Sequence, residues 1–218
     1  MRIAIAGAGN VGRAIARELL DNGHEVLLID KDPKALKLES VPDAEWLMAD
    51  ACEITSLDKA HLNNCQVLVA ATGDDKANLV TSLLGKTEYG VPRVVARINH
   101  PKNEWLFDSS WGVDVAVSTP RIISALVEEA VSVGDVVRLF SFKAGQANLV
   151  ELTLPDGSEC IGKTVEEIDL PEDATLAVIV RDGKVIAAKA HDLFLAGDEL
   201  LFVASVAAEA KIKACFIA

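Results

Sequence analysis

The chain has 218 residues, 25% charged and 50% hydrophobic, which suits one large domain or two small ones and excludes a disordered or collagen-like protein. Its 33 acidic residues against 21 Lys and Arg give a formal charge of −12 without a basic patch, which excludes nucleic acid and anionic lipid as direct partners. No apolar run approaches the roughly 18 residues of a membrane span, and the first residues lack the apolar centre of a signal peptide, so we expect a cytoplasmic protein without membrane insertion.

Short β-rich runs alternate with helical patterns over residues 2–118. Several runs are almost continuously apolar, which is typical of a parallel sheet covered on both faces. The right-handed crossover rule then predicts a Rossmann-like, doubly wound parallel α/β sheet. The predicted strands are 2–6, 25–30, 45–48, 66–71, 93–98 and 114–117, and the predicted helices are 11–22, 33–39, 75–89, 102–109 and 120–133.

The helix predicted at 120–133 carries apolar residues on two sides. A helix of this kind is usually buried on two sides, so its second cover is either the C-terminal module or a partner subunit. One apolar row consists of Ile122, Leu126 and Ala130, and the other of Ile123, Val127 and Val131.

The periodic pattern is lost around residues 134–148, which predicts two domains, 1–134 and 135–218. The second part is β-rich, and its Asp182-Gly183 pair predicts a type I′ hairpin turn because Gly tolerates the positive φ that this turn needs. We therefore expect a small α+β domain after the Rossmann-like one. Its predicted strands are 149–154, 176–181, 184–187 and 199–204, followed by a helix over 206–214.

The strongest motif is Gly7-Ala8-Gly9-Asn10-Val11-Gly12, a Gly-x-Gly-x-x-Gly that follows a strand and opens a helix. Gly7 allows the tight turn, Gly9 lets backbone amides approach a pyrophosphate, and Gly12 lets the helix pack closely. Asp30 ends the second strand, where its carboxylate can accept hydrogen bonds from ribose hydroxyls and repel a 2′-phosphate. The context predicts a site for NAD(H) or an adenine nucleotide rather than NADP.

Three further strand ends point to the same crevice, because ligands of open α/β sheets bind at the carboxyl ends of the strands. Asp50-Ala51-Cys52 follows the third strand, Thr72-Gly73-Asp74-Asp75 follows the fourth, and Arg97 lies at the end of the fifth. Helix capping is the favoured interpretation of Asp74 and Asp75. For Arg97, a phosphate contact and a surface ion pair stay open.

No catalytic residue and no metal site is predicted. The short-chain dehydrogenase pattern Tyr-x-x-x-Lys is absent, because the single tyrosine, Tyr89, is followed four residues later by Arg93. His100 is the one histidine near a strand end, and a polar loop residue is its favoured interpretation. An NAD-dependent reductase and an NAD(H)-binding redox sensor unrelated to transport stay as alternatives. The cysteines, none with a ligand-spaced partner, are Cys52, Cys65, Cys160 and Cys215.

The first part resembles the nucleotide-binding half of the RCK (regulator of conductance of potassium) domain family, also called KTN. The resemblance rests on the glycine motif and on Asp30-Lys31, Ala49-Asp50-Ala51, the run from Ala71 to Asn78, and Val95-Ala96-Arg97-Ile98-Asn99. The second part is similar to the C-terminal subdomain of the same family in residues 162–165, 178–186 and 196–201. In order and spacing, the resemblance covers nearly the whole chain.

This resemblance implies a TrkA/KtrA-type cytoplasmic subunit, a nucleotide-binding regulatory subunit of a Trk/Ktr potassium uptake system. Such a subunit gates a separate membrane channel subunit and lies at the inner face of the cell membrane through that partner. The resemblance also implies a homodimer, formed through the helix at 120–133, that assembles into a ring of eight subunits. The implied nucleotide-site residues are Gly7, Ala8, Gly9, Asn10, Val11, Gly12, Asp30, Lys31, Asp50, Ala51, Thr72, Gly73 and Arg97.

The sequence departs from the family pattern at three positions. Cys52 replaces a common Thr, Asn10 stands where some ATP-binding members carry Arg, and Arg121 stands where some carry a Glu that serves a cation. The last two departures disfavour ATP with Mg²⁺. We therefore expect NAD(H), with ADP and ATP as the alternatives.

Overall fold

The computed structural model describes residues 1–131, 133–142 and 147–217. The chain divides into two compact units, Met1–Pro120 and Arg121–Ala218. The sequence-based boundary between 134 and 135 places the helix after Ser118 in the first domain, and that assignment stays a prediction. Within the described ranges, no helix is both long enough and apolar enough to cross a membrane.

The first unit is built on one parallel six-stranded sheet. Its strands are β1 (Arg2–Ala6), β2 (Glu25–Asp30), β3 (Glu45–Met48), β4 (Val67–Ala70), β5 (Arg93–Ile98) and β6 (Val115–Ser118), and its helices are α1 (Asn10–Asp21), α2 (Ile54–Ala60) and α3 (Asp75–Thr87). The strand order is β3-β2-β1-β4-β5-β6. From β1 the chain adds β2 and β3 on one side, then crosses back and adds β4 to β6 on the other side of β1. This order confirms the predicted Rossmann-like fold and places its crevice at the β1/β4 reversal.

Alternate residues of β1 enter different hydrophobic clusters, which shows that both faces of the sheet are covered. Ile3 and Ile5 pack in a cluster with Ala16 of α1. Ala4 and Ala6 pack in another cluster with buried residues of α2. A strand buried on both sides explains the continuous apolar runs in the sequence.

Two predicted helices are wrong. Over 33–39 the chain forms turns and a short 3₁₀ segment at Leu38–Ser40, because the Asp32 carboxylate accepts a hydrogen bond from the Lys34 amide and favours a turn. Over 102–109 it forms 3₁₀ turns at Pro101–Leu106 and Ser109–Trp111. The Asp108 carboxylate accepts from the Ser110 amide and starts the second turn, so no continuous helix forms.

The second unit contains one antiparallel five-stranded sheet. Its strands are β7 (Val136–Ser141), β8 (Asn148–Thr153), β9 (Ala174–Arg181), β10 (Lys184–Ala187) and β11 (Glu199–Ala204). The helix α4 (Thr119–Val131) precedes them and α5 (Val206–Phe216) follows. The strand order is β10-β9-β11-β8-β7.

The hairpin between β9 and β10 has the predicted turn, with φ of 50° at Asp182 and 71° at Gly183. The core of the unit contains Phe216 of α5, which packs edge-to-face on Phe194 with ring centroids 5.3 Å apart.

Strand β7 was not predicted. Its register against β8 shifts between Arg138 and Phe140, and such a bulge interrupts the alternating pattern by which a strand is recognised.

Candidate functional site

A cavity of about 590 Å³ lies at the carboxyl ends of β1 to β5. All predicted site residues line it except Ala8 and Gly12. The predicted residues that line it are Gly7, Gly9, Asn10, Val11, Asp30, Lys31, Asp50, Ala51, Thr72, Gly73 and Arg97. The remaining lining residues are Ile29, Ala49, Cys52, Ala71, Asp74, Ala77 and Thr81.

The three glycines of the loop have different surroundings. Gly7 has φ of 106°, and a Cβ atom there would lie 2.8 Å from backbone atoms of Ala71 and Thr72. A Cβ atom at Gly12 would lie 1.8 Å from the carbonyl oxygen of Gly7. Gly9, the N-cap of α1, has no atom within 4 Å of the same position among the described residues beyond its own chain neighbours. Gly7 and Gly12 therefore serve packing, whereas the open side of Gly9 faces space that a ligand can fill.

The carboxylate of Asp30 is held by the backbone on both oxygens. Its Oδ2 accepts a hydrogen bond of 2.7 Å from the buried amide of Ala8, and its Oδ1 accepts one of 2.9 Å from the amide of Asp32. Each carboxylate oxygen has a second lone pair, so the group can still accept a hydrogen bond from a ligand hydroxyl. Ala8 contributes to the site by orienting Asp30 rather than by lining the cavity.

Arg13 is a buried cation beneath the glycine loop that sequence reasoning missed. Its guanidinium donates to the carbonyl oxygen of Ala8 and, over 2.7 Å, to the side-chain oxygen of Asn10. A cation in the first turn of a helix opposes the helix dipole. That mismatch in α1 is the sequence signal that points to local acceptors for Arg13.

The buried side chain of Asn78 joins the ends of β4 and β5 on the opposite wall. Its Oδ1 accepts from the amide of Thr72 at 2.9 Å and from the Thr72 hydroxyl at 2.7 Å. Its Nδ2 donates to the carbonyl oxygens of Thr72 and Arg97, the latter at 2.8 Å. Asn78 ends the run from Ala71 on which the family resemblance rests but had no predicted role, because its contact with the carbonyl oxygen of Arg97 forms only when α3 packs beside β5.

The two acidic residues at the start of α3 have different roles: Asp74 caps the helix, as the capping interpretation predicts, whereas Asp75 is bound by residues that follow β5. Asp74 accepts from the amide of Lys76 at 2.8 Å. The buried carboxylate of Asp75 accepts from the amides of Asn99 and His100 and from the side chain of Asn103. Burial alone would raise the pKa of Asp75, but these hydrogen bonds outweigh it and hold the pKa below its usual value.

Arg97 presents a cation to the cavity from the end of β5. Its Nε is buried and has no hydrogen-bond partner, and none of the ion pairs among the described residues includes Arg97. The surface ion pair that the sequence left open is thus not found in the described part of the chain. A buried N–H without an acceptor is costly, and a bound anion would relieve that cost.

Lys31 and Asp50 form an ion pair on the β2–β3 side, with 3.0 Å between Nζ and Oδ2. The other oxygen of Asp50 accepts from the amide of Cys52 at 2.9 Å. This amide and then Lys31 hold the pKa of Asp50 below its usual value. Burial, with Asp50 nearby, raises the pKa of the Cys52 thiol, so the group is a poor nucleophile.

The charges of the cavity are therefore divided between its two sides. Asp30 and the Lys31–Asp50 pair lie at the ends of β2 and β3, whereas Asp74 follows β4 and Arg97 lies at the end of β5. Between them is the N-terminus of α1 with the open side of Gly9. This arrangement can take a ligand with hydroxyl groups at one end and phosphates at the helix N-terminus.

Among the described residues, no group of His, Cys, Asp and Glu side chains could hold a metal ion.

Two sequence families match this chain. The TrkA-N domain matches residues 3–119 and the TrkA-C domain matches residues 149–216. The chain is 55% identical over 213 residues to the Trk system potassium uptake protein TrkA of two Mycobacterium tuberculosis strains, with 98% of this chain and 97% of that protein covered. A TrkA homolog of Methanothermobacter thermautotrophicus is 29% identical over 187 residues, covering 85% of each chain.

Solved structures share the fold. The chain is similar to a GsuK channel bound to NAD, with a TM-score of 0.68, 16% identity, and coverage of 98% of this chain and 39% of that one. The Kef C-terminal domain of Shewanella denitrificans in an AMP-bound form gives a TM-score of 0.52 and 21% identity, with coverage of 60% of this chain and 79% of that one. On the two domain matches and the 55% identity, the chain belongs to the TrkA family of Trk system potassium uptake proteins.

Proposed function

We propose that this protein is the nucleotide-binding regulatory subunit of a Trk-type potassium uptake system and that it gates a separate membrane channel subunit. Membership of the TrkA family and the potassium-uptake names of its relatives support this role. In this role the protein reaches the inner face of the cell membrane through its channel partner. A ligand biases a gating equilibrium only through its different affinities for the two states, so the nucleotide must contact the open and closed assemblies differently.

The ligand we propose is NAD(H), with ADP and ATP as alternatives. The observation that carries the proposal is the cavity where the open side of Gly9 at the N-terminus of α1 faces the same space as the unpaired Arg97. Both features attract phosphate. The fixed carboxylate of Asp30 supplies an acceptor for ribose hydroxyls and disfavours a 2′-phosphate. The NAD bound to the GsuK channel and the AMP bound to the Kef domain are consistent with this choice.

The residues around the cavity support binding without catalysis. A dehydrogenase needs a group that moves a proton while the cofactor moves hydride. Neither His nor Tyr is among the described residues that line the cavity. The Tyr89 hydroxyl donates to Asp58 and to the carbonyl oxygen of Ile54, and burial with Asp58 raises its pKa to about 12. These features disfavour the NAD-dependent reductase.

The exposed apolar side chains of helix α4 support our proposal that several subunits assemble. Of the α4 side chains that the structure describes, four apolar ones are more than half exposed in one chain: Ile123 at 56%, Leu126 at 53%, Val127 at 59% and Val131 at 76%. Ile122 is exposed as well, while the Ala130 side chain lies outside the described part of the chain. We propose that α4 pairs with the same helix of a second copy around a two-fold axis. These dimers would then form the ring of eight subunits that acts on the channel.

A ligand panel tests the proposed function directly. Thermal unfolding of the purified protein is followed with NAD⁺, NADH, ADP, ATP and cyclic di-AMP, with Gly9→Val as the matched control. A bound ligand raises the melting temperature by mass action, so we expect NADH or an adenine nucleotide to stabilise the wild type and leave Gly9→Val unchanged. Potassium flux through the reconstituted channel should then respond to the same ligand. If no nucleotide stabilises the wild type, the proposal is wrong.

A further inference from the structure

Three charged side chains meet at the carboxyl ends of two neighbouring strands. Strands β2 and β3 pair in register, with Asp30 opposite Met48, and the amide of Ala49 donates to the carbonyl oxygen of Asp30 at 3.0 Å. The residues that follow this pairing, Lys31 and Asp50, consequently emerge side by side and form their ion pair. With Asp30 they form the charged end of the cavity, a cluster with a formal charge of −1.

The two partners of this ion pair differ in exposure and in how their side chains are held. Asp50 is fixed, since its Oδ1 accepts from the amide of Cys52 and only 28% of its side chain is exposed. The Lys31 side chain is 69% exposed, and its ammonium donates a hydrogen bond of 3.0 Å to Asp50 Oδ2. The ammonium group of an exposed lysine, on its flexible stem, reorients towards the nearest anion. In this structure that anion is Asp50.

The position of Lys31 matters for cofactor choice. Dinucleotide sites of this fold select NAD with an acid at the end of the second strand and accept NADP with a nearby cation for the 2′-phosphate. This chain has both kinds of residue next to each other, Asp30 and Lys31. The acid excludes the 2′-phosphate only as long as the adjacent cation does not bind it.

We infer that Asp50 is a specificity-determining residue, which keeps Lys31 from binding a 2′-phosphate and so makes the cavity selective for nucleotides that lack one. This inference rests on the proposed function and deepens it. Selectivity then depends on the whole cluster of Asp30, Lys31 and Asp50 rather than on Asp30 alone. The consequence is a coupling: removing the charge of Asp50 should improve the binding of a 2′-phosphate only when Lys31 is present.

A double-mutant cycle with two matched probes tests this coupling. ADP-ribose and 2′-phospho-ADP-ribose differ only in the 2′-phosphate, and their affinities are measured by calorimetry for wild type, Asp50→Asn, Lys31→Gln and the double variant. Asn keeps an oxygen that can accept from the Cys52 amide, so the loop geometry is retained. Reporting the ratio of the two affinities removes any loss that both probes share, and thermal melting checks that each variant is folded.

The expected result is a gain of about fivefold in relative affinity for 2′-phospho-ADP-ribose in Asp50→Asn, and of less than about twofold when the same change is made in Lys31→Gln. Equal gains in both backgrounds, or none in Asp50→Asn, overturn the inference while the proposed function stands, provided that ADP-ribose still binds. If wild type binds neither probe, both the proposed function and the inference fail.

Discussion

The Oδ2 atom of Asp30 lies 2.7 Å from the backbone nitrogen of Ala8. The carboxylate at the end of β2 therefore accepts a hydrogen bond from the glycine loop that follows β1 and holds that loop in place. Two features that the sequence suggested separately, a phosphate-binding loop and an acceptor for ribose, are therefore one connected structure. A substitution at Asp30 should act on both.

Asp30→Ala is expected to weaken NADH or ADP binding by about 1.5–3 kcal/mol, the value of a hydrogen bond to a charged acceptor, and to lower the melting temperature because the Ala8 amide loses its partner. Asp30→Asn keeps an acceptor for the Ala8 amide but loses the one for the Asp32 amide, so it should lose affinity with a smaller loss of stability than Asp30→Ala. Calorimetry and thermal melting of both variants check this. Equal melting temperatures for Asp30→Ala and wild type would contradict the structural half of the prediction.

Two glycines of the loop provide a matched pair with opposite expected effects. A Cβ atom at Gly12 would meet the Gly7 carbonyl oxygen at 1.8 Å, so Gly12→Ala should destabilise the fold by about 1–3 kcal/mol or more. A Cβ atom at Gly9 meets nothing within 4 Å in the described part of the chain apart from its chain neighbours, so Gly9→Val should fold normally, but it places a side chain in the proposed pyrophosphate position. Denaturant unfolding and nucleotide binding separate the two effects. A folded Gly9→Val that binds nucleotide like wild type would remove this loop from the site.

Arg97 should matter for the ligand and not for the fold. Its Nε is buried without a partner, so Arg97→Met removes a cost from the free protein and should leave the melting temperature unchanged or slightly higher. The same variant should bind nucleotide about ten- to a hundredfold more weakly, because a charge-assisted hydrogen bond to phosphate is lost. Titrations at low and high salt test the charge, since the deficit should shrink as salt screens it. Lower stability with unchanged binding would show that Arg97 is structural.

Asp75 makes stability depend on pH in a defined direction. Its folded pKa lies below the usual value because hydrogen bonds from Asn99, Asn103 and His100 outweigh the effect of burial. Its contribution is therefore complete above the unfolded pKa of about 3.9 and is lost as pH falls towards the lower folded pKa. Asp75→Asn should be less stable than wild type at pH 7 by about 1–3 kcal/mol, with a gap that narrows below about pH 4. Urea unfolding across pH 3–7 checks this, and a gap independent of pH would contradict it.

The exposed apolar side of α4 predicts a dimer that one charge can disrupt. Val127 is 59% exposed in the single chain, so Val127→Arg should leave the fold of each subunit intact and shift the mass from dimer to monomer. Val185→Arg is the control, because Val185 is 75% exposed on β10 and should leave the dimer unchanged. Light scattering at micromolar concentration measures both variants. A wild type that is monomeric with and without nucleotide would contradict the α4 interface.

The sheet and the outline of the cavity could be predicted from the sequence because local signals specify them. Strand β2 is apolar along almost its whole length since both faces are covered, and parallel strands bring their carboxyl ends to one edge. The glycine motif and Asp30 lie at such ends, so their proximity follows from topology alone. The turn at Asp32 was missed because a single side chain to backbone hydrogen bond outweighs an otherwise helical run.

The contacts that orient the side chains of the site could not be predicted from local sequence patterns. The Asn78 side chain donates to the carbonyl oxygen of Arg97, an acceptor that only the folded sheet brings near it. Strand β7 escaped prediction because the bulge near Arg138 breaks its alternation. In each case the missing information is tertiary: which acceptor or neighbouring strand a residue meets after folding.

The Asn78 bridge has a consequence for how binding proceeds. One buried amide fixes the distance between the ends of β4 and β5 before any ligand arrives, so this wall of the cavity is preorganised. The side chain of Lys31 on the other wall is mostly exposed, and its conformational entropy is still to be lost. The entropic cost of binding therefore falls on the β2–β3 side. Ligands should dock first against the rigid β4–β5 wall and become ordered at their adenosine end afterwards.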